Sequence, residues 1–392
     1  MKLKKSPLYV FHTESIYLRG GEKYLYEILR RIAKTRRTEL YLHTVSPKWK
    51  SLYTKAGITV HTLWRPRRLY WLCIPLTIVI DYLSLRKTIG RNDLIFATNF
   101  PMNFLATALS QNTICHCAEP LPIFYDQVRI NSLPLFSRVC VFFAKLAYAP
   151  WDSWSYKRCA VLTTLNPSVE EHVINVHKRK PDMFLANGVD EHHFTPTKKP
   201  TNHALYVIGH STDYTVFKGT HDFLSAIHEL HSMGMRFQAV ISESITDSTM
   251  KQKYDNYILQ HNLKKYVSFV GTLSEEKLAD FYRDLDVFVF TGSPEGSGAS
   301  AASLSVLEAQ ACGVPVVRSI GENKEIKEGK TGFYVNPHDG IATAQAIKKI
   351  LNKPKTERKT MGDNARKHVI KFFSWTTTAS ELETLLHALT KN

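Results

Sequence analysis

From Asp286 to Pro337 the chain reads DVFVFTGSPEGSGASAASLSVLEAQACGVPVVRSIGENKEIKEGKTGFYVNP, and this stretch narrows the possible folds more than any other. Val287 to Phe290 is a strand of four apolar residues that breaks into a Gly/Ser-rich loop. A helix is expected from near Ser303, with Leu304, Leu307 and Ala311 on one face, and it should stop at Gly313. Val314 to Val317 follows as a second apolar strand, so the segment reads as a βαβ unit of a parallel sheet. Small residues at a helix N-terminus leave N–H groups open and place the positive end of the helix dipole where an anion can bind without a lysine. Glu308, about one turn inside that helix, cannot serve a phosphate; its carboxylate suits a sugar diol, as the acidic residue of nucleotide-binding units suits ribose.

A chain of 392 residues is too long for one ordinary core and should form two domains. Its formal net charge of +16 calls for an anionic partner. No nucleic-acid module is readable, because the basic residues are scattered among apolar ones without stacking aromatics; an anionic membrane surface is the better fit and nucleic acid is not expected. The six cysteines, Cys73, Cys115, Cys117, Cys140, Cys159 and Cys312, sit in apolar contexts without zinc spacing, as core thiols of a reducing compartment do. Cys115, His116 and Cys117 alternate across a strand and cannot easily converge on one ion. The apolar run near the N-terminus is too short for a signal peptide and reads as a first strand, Pro7 to His12.

After that strand, Gly20 and Gly21 precede an amphipathic helix carrying Leu25, Ile28, Leu29 and Ile32, and they let a ligand approach its N-terminus. Strands are expected at Glu39 to Val45, Ile58 to Leu63, Asp93 to Thr98, Thr113 to Ala118 and Val161 to Leu165. Trp64 to Lys87 has an apolar centre, Leu69 to Ile80, shorter than the ~20 residues that span a bilayer. With Arg65, Arg67 and Arg68 before it, Arg86 and Lys87 after it, and Tyr70 and Trp71 within, it suits an interfacial segment; a buried helix with a solvated basic end is the alternative. Helical periodicity runs through FSRVCVFFAKLAY, again through DSWSYKRCA, and from Pro167 to His177. ANGVD closes the first domain, and PTKKPTN from Pro196 is linker-like. The second domain opens with a strand from Ala204 to Gly209, then Lys218, Gly219 and a helix from His221 through Leu230; further strands are expected at Phe237 to Ser242 and Val267 to Val270.

The run LSVLEAQACGVPVV, followed by Gly321, Glu325 and EGKTGFYV, resembles the donor-site signature of the retaining glycosyltransferases of family 4. NGVD is similar to that family's inter-domain junction, and the lysine-glycine pair before a helix to its diphosphate-binding loop. The resemblance implies a GT-B architecture: an α/β protein of two doubly wound Rossmann-like domains facing a central cleft, with a C-terminal helix crossing back to the first. The expected domains are residues 1–198 on the acceptor side, 199–375 on the nucleotide-sugar side, and 376–392 as that helix.

The implied activity is metal-independent transfer of a hexosyl group from a nucleotide-diphosphate sugar to a glycan or lipid-linked acceptor, with retention and with no cofactor. A nucleotide-sugar 2-epimerase of the same architecture, or a silent nucleotide-sugar-binding subunit, is the alternative. The location implied is the cytoplasm, with peripheral attachment to the inner face of the membrane. Lys218 and Gly219 would meet the donor diphosphate, and His210 stands where relatives carry an arginine. Glu308, Ser303 and Leu304 belong to the donor site, and Gly20 and Gly21 to the acceptor-side loop. The family's first acidic residue falls on Ser300 without a gap and on Glu295 with an inserted loop; Glu295 is preferred, since a charged oxygen accepts more strongly than a hydroxyl. The family's histidine falls on Ala118, so His116, on the same strand face, is either its catalytic stand-in or a core histidine.

Overall fold

Short apolar strands alternating with helices bury both faces only as a parallel sheet with helices on each side, and this chain does so twice. The computed structural model describes residues 5–16, 20–66, 70–197, 204–214, 218–243, 248–292, 303–320 and 324–390. Two compact units result: 1–186 with 375–392, and 187–374.

The first unit runs β1 (Leu8–Ser15), α1 (Gly20–Ile32), β2 (Thr38–Val45), α2 (Pro47–Lys55), β3 (Ile58–Thr62), α3 (Tyr70–Leu85), β4 (Leu94–Ala97), α4 (Met102–Leu109), β5 (Thr113–Cys117), α5 (Pro122–Tyr125), α6 (Gln127–Ser132), α7 (Leu135–Arg158), β6 (Val161–Thr164), α8 (Pro167–His177) and β7 (Met183–Phe184). Its strands form one parallel sheet in the order β3-β2-β1-β4-β5-β6-β7.

The second unit holds β8 (Tyr206–Thr212), α9 (Thr220–Ser232), β9 (Phe237–Glu243), α10 (Ser248–Gln260), β10 (Val267–Gly271), α11 (Glu275–Arg283), β11 (Val287–Phe290), α12 (Leu304–Ala311), β12 (Val316–Ser319), β13 (Gly332–Val335), α13 (Gly340–Leu351) and α14 (Lys355–Phe372). The sheet order is β10-β9-β8-β11-β12-β13, again parallel. After it the chain returns to the first unit as α15 (Trp375–Leu389).

Several elements depart from the sequence expectation for local reasons. β1 runs past His12 to Ser15 because Glu14 and Ser15 pair with Thr44 and Val45 of β2. β8 starts at Tyr206 and reaches Thr212 because its last residues pair with Ser242 and Glu243 of β9. The two helical stretches between Pro134 and Cys159 are one helix that continues through Pro150. α2 was not expected; its signal lay in Ser46-Pro47, where the serine hydroxyl accepts the Trp49 N–H and the proline occupies the first turn.

The division between the units falls at Asn187, ahead of the linker-like PTKKPTN. Residues 190–195 are tied to the second unit by two arginines. Arg366 donates to the carbonyls of Phe194 and Glu191, and Arg283 to those of Thr195 and His193. α15 is fixed in the first unit by the buried Trp375, edge-on to Tyr24 at 5.7 Å, and by Thr378, whose hydroxyl donates to the Ala186 carbonyl.

Candidate functional site

In the second unit the strand order reverses between β8 and β11, the point at which open α/β sheets bind ligands beyond the carboxyl ends of their strands. Two of the residues singled out in the sequence lie at this point, and a third opens the helix that follows β11. Lys218 and Gly219 lie between β8 and the N-terminus of α9, and Ser303 immediately precedes α12 after β11. Gly219 has φ +70°, and a Cβ on it would lie 2.3 Å from the carbonyl carbon and oxygen of Thr291. Only glycine allows that approach, which the Thr291 hydroxyl locks by donating to the Gly219 carbonyl at 2.8 Å. The lysine ahead of it is therefore held at a fixed place although its side chain is about one-third exposed, with Nζ 3.8 Å from Asp213 and 5.8 Å from the centre of the Phe290 ring.

Glu308 is buried inside α12 and accepts a hydrogen bond from the Tyr282 hydroxyl at 3.1 Å. Burial of that phenol raises its pKa well above the usual value, so Tyr282 remains a donor and orients the carboxylate. Sequence reasoning missed this partner, because Tyr282 sits on α11 and only the fold brings it to Glu308. The Ser303 hydroxyl lies 2.7 Å from that of Ser305 rather than capping a backbone N–H, and Leu304 is half-buried. Glu295 and Ser300 lie outside the described residues.

His210 corrects an expectation. It was to replace a diphosphate-binding arginine, but the ring is fully buried, stacked on Phe223 at 4.7 Å. Nδ1–H donates to the Val289 carbonyl at 2.9 Å and Nε2 pairs with the Thr220 hydroxyl at 3.1 Å. Burial lowers its pKa to about 4, so it is neutral at pH 7 and brings no charge to an anion. It works as a brace joining β8, β11 and the first turn of α9.

A pH dependence follows from that brace. The folded pKa lies below the unfolded one, so His210 contributes stability that is complete above the unfolded value and is lost as pH falls toward the folded value. The unfolding free energy of wild type, measured in urea, should therefore fall by about 2 kcal/mol more than that of His210→Gln between pH 7 and about 4.5. Parallel curves would remove His210 from this role.

His116 is placed as a core histidine. It is 1% exposed, stacked between Tyr24 at 4.8 Å and Phe96 at 6.1 Å, with Nδ1 3.0 Å from the Thr163 hydroxyl. Burial brings its pKa down to about 3. A ring covered on both faces does not reach a ligand, which corrects its reading as a catalytic residue. Gly20 and Gly21 are exposed at the start of α1, and a Cβ on Gly21 would meet nothing within 4 Å.

Within the first unit a pocket opens beyond the carboxyl ends of β2 and β3, lined by His43, Thr44, Thr62, Leu63, Trp64, Arg65, Pro66 and Tyr70. Arg65 donates to Glu14 at 2.9 Å and to Thr44 at 3.1 Å, and its guanidinium lies 4.1 Å from the centre of the Tyr70 ring. The Tyr70 hydroxyl pairs with His43 Nδ1 at 3.1 Å, and His43 Nε2 with the buried Asp81 at 3.2 Å. Arg65 and Tyr70, read in the sequence as interfacial residues, are thus pocket walls; Arg67 and Arg68 lie outside the described residues. Among the described residues no group of three or more His, Cys, Asp or Glu is placed to hold a metal ion.

Residues 190–368 match the family model of glycosyl transferases group 1. The capsular polysaccharide biosynthesis glycosyltransferase CapM of Staphylococcus aureus is 30% identical over 188 residues, 47% of this chain and 47% of that protein. A D-inositol 3-phosphate glycosyltransferase of Corynebacterium efficiens is 32% identical over 140 residues, 35% of this chain and 31% of that protein. The chain thus spans half or less of the length of these curated relatives. Among solved structures, a glycosyltransferase from Rickettsia africae superposes with a TM-score of 0.76 at 17% identity, over 99% of both chains. Anabaena HepE in complex with UDP superposes with a TM-score of 0.74 at 15% identity, over 98% of this chain and 100% of that one. At such identities the likeness shows the fold, which is GT-B.

Proposed function

From the match of residues 190–368 to the family model of glycosyl transferases group 1, we propose that the protein transfers a hexosyl group from a nucleotide-diphosphate sugar to a glycan or lipid-linked acceptor, with retention at the anomeric carbon. The observation that carries this is the lysine-glycine pair locked to Thr291 at the point where the strand order reverses. A diphosphate there meets one ammonium and the positive end of α9, and these neutralise charge as it builds on the leaving group. No metal is invoked. Glu308, oriented by Tyr282, takes the ribose diol, and Glu295, or Ser300 in the ungapped reading, attends the sugar. Retention fits attack on the face from which the diphosphate departs, with the diphosphate taking the acceptor proton; the protein then positions and stabilises and supplies no covalent nucleophile.

For the acceptor, the first-unit pocket offers what a sugar ring binds. Trp64, half exposed, presents an apolar face, and Arg65, Thr44 and Tyr70 present polar groups around it. At the N-terminus of α1 a Cβ on Gly21 would meet nothing within 4 Å, which leaves room for a ligand beside Gly20 and Gly21.

The neutral, enclosed His210 supports a second reading, a silent nucleotide-sugar-binding subunit, because one expected cation is missing. The two readings separate in one series. Thermal shift against UDP-, GDP- and ADP-sugars should single out one nucleotide, since a ligand at a hundred times its Kd adds about 2.7 kcal/mol. Incubation of that donor with candidate acceptors should then give a glycoside of the donor's own anomeric configuration by NMR. Binding without product selects the silent subunit, and no shift with any nucleotide sugar overturns both.

A further inference from the structure

α3 and α7 pack on one buried cluster of the first unit, in which Ile74 and Ile78 of α3 and Val141 and Tyr148 of α7 meet Phe100 and Phe124. The Tyr148 hydroxyl donates to the Trp71 carbonyl across it. With their inner faces so used, both helices should turn polar residues outward, yet the exposed residues of both are mostly apolar. On α3 the residues at i, i+4, i+7 and i+11, Leu72, Leu76, Val79 and Leu83, are 74%, 54%, 53% and 48% exposed. α7 repeats the spacing with Leu135, Val139, Phe142 and Leu146, and Phe136 and Phe143 widen the stripe at 80% and 63% exposure. Scattered exposed leucines are ordinary, whereas two stripes on adjoining helices mark a surface that something covers.

Charge identifies the cover. The only acidic residues of the two helices, Asp81 and Asp152, are buried and face inward. Exposed cations stand at the ends: Arg86 and Lys87 follow α3, and Lys157 and Arg158 close α7, with Arg158 5.4 Å from the centre of the half-exposed Trp154 ring. From Arg65 to Arg158 there are eleven basic residues against five acidic. An apolar stripe with cationic ends and a tryptophan at its margin is complementary to acyl chains beneath anionic headgroups. α3 has 16 residues, too few to span, and among the described residues no helix is long and apolar enough to cross a membrane.

We propose that the outward faces of α3 and α7 dock this protein on the surface of an anionic lipid bilayer, lying in the headgroup boundary. Tyr70, the first residue of α3, is also a wall of the Arg65 pocket, so an acceptor carried by that bilayer would reach the pocket along α3. The docking itself does not depend on the transfer reaction.

The test is sedimentation of the full chain with phosphatidylcholine vesicles, with and without about one-third phosphatidylglycerol. Wild type should bind the anionic vesicles and release as salt rises past about 0.1 M, where the Debye length is ~10 Å. Phe136→Ser/Phe143→Ser should weaken binding about tenfold or more, and Arg86→Gln/Lys87→Gln should remove much of the preference for anionic lipid. These side chains are exposed, so circular dichroism and Tm should match wild type. Absence of binding at low salt, or unchanged binding by the phenylalanine variant, would overturn the proposal. So would a wild-type dimer in light scattering that becomes monomeric in that variant, since the face would then be covered by a second copy.

Discussion

Lys218→Ala should lose about a hundred- to a thousandfold in kcat for sugar transfer while its unfolding transition stays within about 1 kcal/mol of wild type. The activity loss follows from the proposed chemistry. As the anomeric bond breaks, the diphosphate gains charge, and an ammonium fixed at the N-terminus of α9 stabilises that change more than it stabilises the ground state. Because His210 is neutral and enclosed, the lysine carries more of this task than it would beside a second cation. Stability should hardly respond, since the side chain is about one-third exposed and its ion pair with Asp213 is long, at 3.8 Å. Gly219 and Thr291 would still hold the loop in the variant. Lys218→Arg keeps the charge but moves it, and should recover part of the rate. Transfer by Lys218→Ala at the wild-type rate would remove the lysine from the mechanism and favour a donor held by helix N-termini alone.

Arg318→Met should lower stability by about 3–5 kcal/mol. Arg318, next to Phe290 of β11 in the sheet, forms an ion pair with Glu325, and the side chains are 3% and 0% exposed. Burial lowers the arginine pKa to about 10, so the guanidinium is still charged at pH 7. Methionine fills much of the arginine volume, and the loss should come from the Glu325 carboxylate, left buried without its ion-pair partner. Arg318→Met/Glu325→Leu removes both charges and should recover most of the loss, because two well-packed apolar residues can replace a buried pair with little penalty. The measurement is a double-mutant cycle of Tm and urea midpoints. If the double variant were as unstable as the single one, packing and not charge would be the cause. The Gln310 side chain, which donates to the Glu325 carbonyl, links the pair to α12, so the single variant should also weaken donor binding.

Much of the architecture was legible because its signals are local. The strand Val287 to Phe290 and the helix opening after Ser303 were readable from apolar runs and helix-stop glycine within the segment itself. Lys218-Gly219 was readable as a pair because a backbone turn before a helix has its own residue preference. Glu308 was readable from its place in the helix, and the resemblance to glycosyltransferases rested on the same segment, inside the 190–368 match.

What the tertiary structure alone decided is the environment of each polar group. His210 is neutral because the packed second unit buries its ring, and it is held in place by donating to a carbonyl 79 residues away. His116 is a core residue because α1 places Tyr24 over its ring, and Glu308 is oriented because α11 brings Tyr282 to it. The apolar residues of α7 gave a helix from the sequence, but which of them face outward depended on α4, α5 and α8 covering the other side. Periodicity is set by neighbours within a turn or two along the chain, whereas protonation, orientation and exposure are set by whichever distant element is packed alongside.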